Sequence, residues 1–226
     1  APYEMNYDWS AADKWIKGSV SAGITPLVQV FGAPVWANRC QPKAGTLVLS
    51  GAPCNPDPAD FAAFVKAAAL RYSGNTPGLP RVRYWQLQNE PNLHVFFNPQ
   101  VNQDGQPVSP VLYRNLLRSA YGAIKSVARS NVVVAAGLAP NKPSGSTSLA
   151  PLHFVRELFC LNANNRPKAN SAACRGGVPL DVFDMHPYTS GGPTHRAAGR
   201  DNIQMGNLRQ LRSTLNAADK AGHIRG

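Results

Sequence analysis

The sequence predicts an α/β chain of parallel strands and crossover helices, and three observations carry that expectation. Four short apolar runs, at residues 25–31, 82–88, 132–137 and 180–186, have the length and composition of buried strands. Each is followed by a loop excursion and then by a stretch with apolar residues at helical spacing. The strand ends, near residues 31, 90, 137 and 186, recur at about fifty residues, within the range of elaborated βα units.

The first expected helix covers residues 9–22. Ser10 is its expected N-cap with Asp13 three residues on, Ala12, Trp15, Ile16 and Val20 share one face, and Gly23 supplies the stop. The run 25–31 ends in a loop at 32–38 that contains Trp36, and a long excursion between Cys40 and Cys54 comes next. Asp57, Pro58 and Asp60 open the next helix as cap, first-turn proline and first-turn acid. Phe61, Phe64, Val65, Ala68 and Tyr72 form its buried face and Gly74 ends it. The run 82–88 stops on Asn89 and Glu90 and is cut off by Pro91, which has no N–H for a ladder and pushes Glu90 out of helical geometry. Ser109 and Pro110 cap a helix with Tyr113, Leu116, Leu117, Ala120, Ile124 and Val127 on one face. A short helix is expected over 151–160 through Leu152, Val155, Leu158 and Phe159. The run 180–186 ends in His186-Pro187-Tyr188, and a last helix over about 207–221 carries Leu208, Leu211 and Leu215 before Gly222.

Composition narrows the class. The 226 residues are 43% hydrophobic with no apolar run long enough to span a bilayer, so a globular, non-membrane chain is expected. It begins Ala1-Pro2-Tyr3 without a leader pattern, as a processed or excised chain would. Lys and Arg number 23 against 12 Asp and Glu, a net charge of +11 that favours anionic surfaces or polymers. Yet charged residues are only 15% of the chain and the basic ones are scattered, so nucleic-acid binding is not expected. The cysteines fall in two pairs, Cys40 with Cys54 and Cys160 with Cys174, each with thirteen residues between. Two local disulfides are the simplest of three connectivities and point to an oxidising, extracellular setting; a four-thiolate zinc site or four reduced thiols are the alternatives.

Four parallel strands cannot close a barrel. The chain is therefore the middle of a longer (β/α)8 barrel or an open doubly wound sheet, and the latter reading finds no Gly-rich phosphate loop after a strand. The strand ends favour the barrel. Glu90 with Asn89 beside it, and Trp36, His186 and Tyr188 at neighbouring rims, are equipment for handling a sugar: a carboxyl for the glycosidic oxygen, polar groups for hydroxyls and flat faces for the ring.

The run Trp85-Gln86-Leu87-Gln88-Asn89-Glu90-Pro91-Asn92 resembles the fourth-strand signature of the clan A retaining glycoside hydrolases, which include family 39-like and family 5 cellulase-like enzymes. Residues 26–37 resemble the third strand and loop of that clan, 132–140 the fifth strand and 181–188 the sixth. The resemblance implies a partial TIM barrel of about four βα units, strands 3 to 6 of one catalytic domain that spans 1–226 and is incomplete at both ends. It implies Glu90 as general acid/base and Asn89 as the partner of the hydroxyl next to the anomeric carbon. His186 or Tyr188 would meet the nucleophile or the sugar bound there, and Trp36 would wall the subsite. The clan's nucleophile is a glutamate at the end of strand seven. The only other glutamates here are Glu4, in the N-terminal segment, and Glu157, on a helix, so the nucleophile is expected beyond residue 226. Asp184, two before His186, either points at the site or braces a neighbour.

The implied reaction is double displacement with retention on a β-linked oligo- or polysaccharide, with no metal or organic cofactor, by a secreted enzyme. It requires a second carboxylate about 5 Å from the acid/base, so the isolated chain is expected not to turn over. The rival expectation is a non-catalytic carbohydrate-binding barrel relic that uses Trp36, Tyr188 and its positive charge to hold an acidic polysaccharide.

Overall fold

The computed structural model describes residues 7–41 and 49–226; Glu4 lies outside them. In chain order the main elements are α1 (Ser10–Ser21), β1 (Leu27–Val30), α2 (Pro58–Arg71), β2 (Tyr84–Leu87), α3 (Ser109–Val127), β3 (Val132–Leu138), α4 (Pro151–Leu158), β4 (Val178–Pro179), β5 (Val182–Met185), α5 (Leu208–Lys220) and β6 (Ile224–Arg225). Strands β1, β2, β3 and β5 pair in that order, all parallel, which is the α/β architecture the sequence predicts. Among the described residues the sheet is open and does not close into a barrel. The four expected strands and five expected helices are all present, with bounds shifted by a few residues. The sequence reading missed β4 and β6, which pair parallel with each other and are only two residues each.

The core forms because alternate strand residues meet the apolar stripes of the helices. Trp85 and Leu87 of β2 and Val133 and Ala135 of β3 are fully buried together with Val65, Tyr113, Leu117, Phe154 and Leu158 from α2, α3 and α4. Successive strand residues point to opposite faces, so Gln86 turns away from Trp85 and Leu87, and the register sets it beside Gln29 of β1. One side of the sheet thus packs on helices, and the other carries polar side chains.

Asp57 caps α2 as expected, its carboxylate accepting from the Ala59 and Asp60 amides. Three other boundary details differ. Helix α1 starts at Ser10 itself, and Asp8 Oδ1 accepts from the Ser10 amide, so Asp8 supplies the oxygen expected of Ser10. Helix α3 likewise starts at Ser109, whose hydroxyl donates to Gln100 Oε1 instead of capping. Helix α4 stops at Leu158, two residues early, because Cys160 takes a left-handed backbone with φ +54°.

The expected buried face of α1 is only partly buried. Ile16 is inside, but Trp15 is 76% exposed and Val20 40%, and Leu27 on β1 is 49% exposed. Strand β1 is the sheet edge, so no further strand pairs with it on that side among the described residues. At the other edge Val182 of β5 is 44% exposed for the same reason.

All four cysteines are oxidised, Cys40 to Cys54 with Cα atoms 5.3 Å apart and Cys160 to Cys174 with 6.1 Å, which excludes the zinc and free-thiol readings. Each bridge closes a loop short enough that it contributes about 3 kcal/mol by restricting the unfolded chain. No described helix is long and apolar enough to cross a membrane.

Asp13 does not close a capping box. It accepts from Arg71 Nε at 2.9 Å and Nη2 at 2.6 Å and from the Tyr72 hydroxyl at 2.8 Å, tying α1 to α2. The bond from Arg71 holds the Asp13 carboxyl below the usual carboxylate range, and burial followed by the bond to Asp13 pushes the Tyr72 hydroxyl up to about 12. A lowered carboxyl stabilises the fold above its unfolded value, and that contribution is lost as pH falls through the folded one. Asp13→Asn is therefore expected to lower the melting temperature by about 2–4 °C at pH 7. In thermal melts at stepped pH, the gap from wild type should close below about pH 4.

Candidate active site

The site grows out of an irregular stretch at the C-terminal end of β2. Gln88 and Glu90 both have positive φ, +66° and +42°, a conformation uncommon for side chains other than glycine. Hydrogen bonds on both flanks hold it there. The Gln88 amide donates to the Val30 carbonyl at 2.9 Å and the Glu90 amide to the Gly137 carbonyl at 3.1 Å. Two residues on, the buried Asn92 clamps the loop to the end of β3: its Oδ1 accepts from the Ala139 amide at 3.0 Å, and its Nδ2 donates to the carbonyls of Ala139 and Leu149. Gln100 Nε2 adds a bond to the Pro91 carbonyl at 2.8 Å. Pro91 ends the strand as expected, and the chain beyond it forms a pinned turn rather than a free loop.

Beneath this turn the buried Tyr113 hydroxyl donates to the Leu87 carbonyl at 3.0 Å and accepts from the Ala136 amide at 2.6 Å. Ala136 has φ +79° at an irregularity where β3 shifts register against β5, so Tyr113 satisfies an amide that the ladder leaves open. Burial pushes the Tyr113 hydroxyl far above its usual range, so it remains a neutral donor.

His186 reaches Glu90 from β5. The His186 amide extends the ladder to the Leu138 carbonyl at 2.9 Å, and the ring then brings Nδ1 within 2.8 Å of Glu90 Oε1. The Glu90 side chain is 12% exposed and that of His186 25%, enough shelter to strengthen the bond and enough access for a ligand. With the ring N–H on Nδ1 donating to Oε1, the other carboxyl oxygen, Oε2, is left to carry or release a proton.

Polar groups on the same side of the sheet flank this pair. Gln86 Nε2 donates to Asp184 Oδ2 at 2.7 Å, and that oxygen lies 3.9 Å from His186 Nε2. Gln29 Nε2 donates to Asn89 Oδ1 at 3.3 Å. Gly137 leaves room for them: with φ +63°, an added Cβ would sit 2.4 Å from Gln86 Nε2 and 3.1 Å from His186 Nε2. Tyr188 is 68% exposed beside the cluster, its ring edge-on to that of His186 with centroids 6.0 Å apart.

Asn89, Glu90, His186 and Tyr188 thus come together, and Asp184 joins them through Gln86 and His186. Trp36 does not join them. It is 72% exposed and lines a groove of about 580 Å³ with Phe31, Pro34, Asp57, Phe61 and Phe64, none of which belongs to the Glu90 cluster. Glu157 is on α4, with both carboxylate oxygens 2.6 Å from Lys168 Nζ. The sequence reading had not singled out Gln29, Gln86, Asn92 or Gly137. Gln29 and Gln86 carried a signal, as polar residues inside apolar strands, and Gly137 carried one as the glycine at the end of a β-branched run.

No protein-family model and no curated protein matches the chain. Solved structures do. A glucosidase from Croceicoccus marinus aligns over 100% of this chain with a TM-score of 0.58 and 16% identity. A monomeric beta-xylosidase from Caulobacter crescentus CB15 aligns over 93% with a TM-score of 0.57 and 19% identity. The chain spans 38% of the length of each. The likeness is one of fold: an α/β array of parallel strands that aligns with part of each.

Crowding at Gly137 gives a test of the cluster. Gly137→Ala should cost about 1–3 kcal/mol, from left-handed backbone strain plus collision with Gln86 and His186. Gly222 also has positive φ, +70°, but nothing lies within 4 Å of an added Cβ, so Gly222→Ala should incur the backbone cost alone. Urea midpoints should rank Gly137→Ala as the more damaging; equal losses would mean that Gln86 and His186 do not crowd Gly137.

Proposed function

We propose that this chain is the acid/base-bearing part of a retaining glycoside hydrolase acting on a β-linked saccharide. Glu90 is the general acid/base, and the nucleophile is a glutamate beyond residue 226. The observation that carries the reading is the Glu90–His186 pair at the C-terminal ends of two parallel strands, in a fold portion shared with a glucosidase and a beta-xylosidase. The apolar side chains left uncovered at both sheet edges, Leu27 at one and Val182 at the other, support further strands flanking these four.

In the first step the nucleophile carboxylate bonds to the anomeric carbon, the glycosidic C–O bond breaks, and the Glu90 proton passes to the leaving oxygen. In the second, Glu90 takes a proton from water as that water attacks and the carboxylate leaves. His186 Nδ1 holds Oε1 in position through both steps. Asn89, turned by Gln29, offers its amide N–H to the hydroxyl beside the anomeric carbon, and Tyr188 offers a flat face at the entrance. The two disulfides favour a secreted enzyme.

Glu90→Gln in the intact protein should lower kcat/KM on an unactivated β-linked disaccharide by about 10²–10⁴-fold. The first step on an aryl glycoside whose phenol leaves without protonation should change far less. Near-normal turnover of the disaccharide would overturn the assignment.

A further inference from the structure

At the opposite end of the strands, three arginines converge on a cavity of about 400 Å³ also lined by Gly176, Gly177 and Pro179. The arginines are Arg118 of α3, Arg175 and Arg225 of β6. We propose that this cavity is an oxyanion site that takes a tetrahedral phosphate or sulfate group.

The frame is built before the ligand arrives. Strand β4 pairs with β6, and the Leu180 amide donates to the Arg225 carbonyl at 2.9 Å, so Arg225 is rooted beside Pro179. The loop that carries Arg175 is tied at Cys174 by the bridge to Cys160. Gly177 lets the two segments touch: a Cβ there would fall 2.7 Å from Arg225 Cβ and 2.9 Å from its amide nitrogen. Arg118 Nη2 donates to the Ala173 carbonyl at 2.7 Å, which aims the guanidinium and leaves its other N–H groups for a ligand.

The charge in this cradle is uncompensated. Arg39, Arg71 and Arg156 each pair with an aspartate, whereas none of Arg118, Arg175 and Arg225 has an ion pair among the described residues. No carboxylate among the described residues lines the cavity. The acids on adjoining segments are engaged elsewhere: Asp181 with Lys125 and the Val133 amide, Glu157 with Lys168. Burial first, and then the charge of Arg225, hold the Arg118 guanidinium below its usual range. A tetrahedral oxyanion relieves that repulsion and matches the guanidinium forks, which bind phosphate and sulfate through paired N–H bonds. The net charge of +11 would also draw such ligands from solution. The site is remote from Glu90 and stands whether or not the chain hydrolyses glycosides.

Isothermal titration calorimetry on the intact protein tests it, with inorganic phosphate, inorganic sulfate, and a sulfated and an unsulfated disaccharide, all at ionic strength matched with sodium chloride. One saturable site for the ions is expected, weakened about tenfold by Arg118→Gln and by Arg225→Gln. Arg118→Lys, which keeps the charge but loses the fork, should weaken binding several-fold with the far-UV circular dichroism unchanged. Arg212→Gln, on α5, should leave it unaltered. Tighter binding of the sulfated disaccharide than of free sulfate, with none by the unsulfated one, would identify a sugar ester as the source. Equal affinity would identify the free ion. Absence of saturable heat, or binding indifferent to Arg118→Gln and Arg225→Gln, would overturn the proposal.

Discussion

The position of Glu90 rests on one constraint: the turn after β2 is fastened to the end of β3 by main-chain and carboxamide bonds. The Glu90 amide to the Gly137 carbonyl and the Asn92 carboxamide to Ala139 and Leu149 keep two left-handed residues, Gln88 and Glu90, in a conformation the chain would otherwise leave. Strain of that kind persists only where the surroundings over-determine it, and here β1, β3 and the segment at Leu149 all contribute. His186 can meet Glu90 at 2.8 Å because both ends of that contact are set by parallel strands in register. A floppy turn would have to order itself each time a ligand bound. This one is ordered in advance, which is what the proposed acid/base role of Glu90 requires.

The fold was legible where apolar periodicity carried it. The parallel strands read as short apolar runs, and the helices showed the spacing of one covered face, so existence and type of these elements followed from the chain alone. Caps were less legible, because Asp8 supplies the oxygen expected of Ser10 and Gln100 draws the Ser109 hydroxyl away from the helix, and sequence spacing does not rank such competitors. The exposed Trp15 and Val20 mark a further limit: periodicity says which residues share a face, not whether a neighbour covers it.

For the site, Glu90 and His186 were legible because a proline after each fixes where its strand must stop. The meeting of Asn89 with Gln29 and of Asp184 with Gln86 depends on register across strands far apart in sequence, which no local pattern encodes. Trp36 was read as a subsite wall, but it sits on a loop whose course is set by contacts to α2 and not by any period. In the folded chain it lines a groove with Phe61 and Phe64. The three-arginine cradle was invisible for the same reason, since Arg118, Arg175 and Arg225 come from a helix, a loop and a two-residue strand.

The central claim is that a β-linked saccharide is cleaved at Glu90, and a crystal structure of the intact Glu90→Gln protein soaked with a panel of β-linked disaccharides tests it most directly. The expected result is a bound sugar whose glycosidic oxygen lies about 3 Å from the residue 90 side chain, with Asn89 on the neighbouring hydroxyl. A sugar held only in the groove beside Trp36, with residues 90 and 186 untouched, would contradict it.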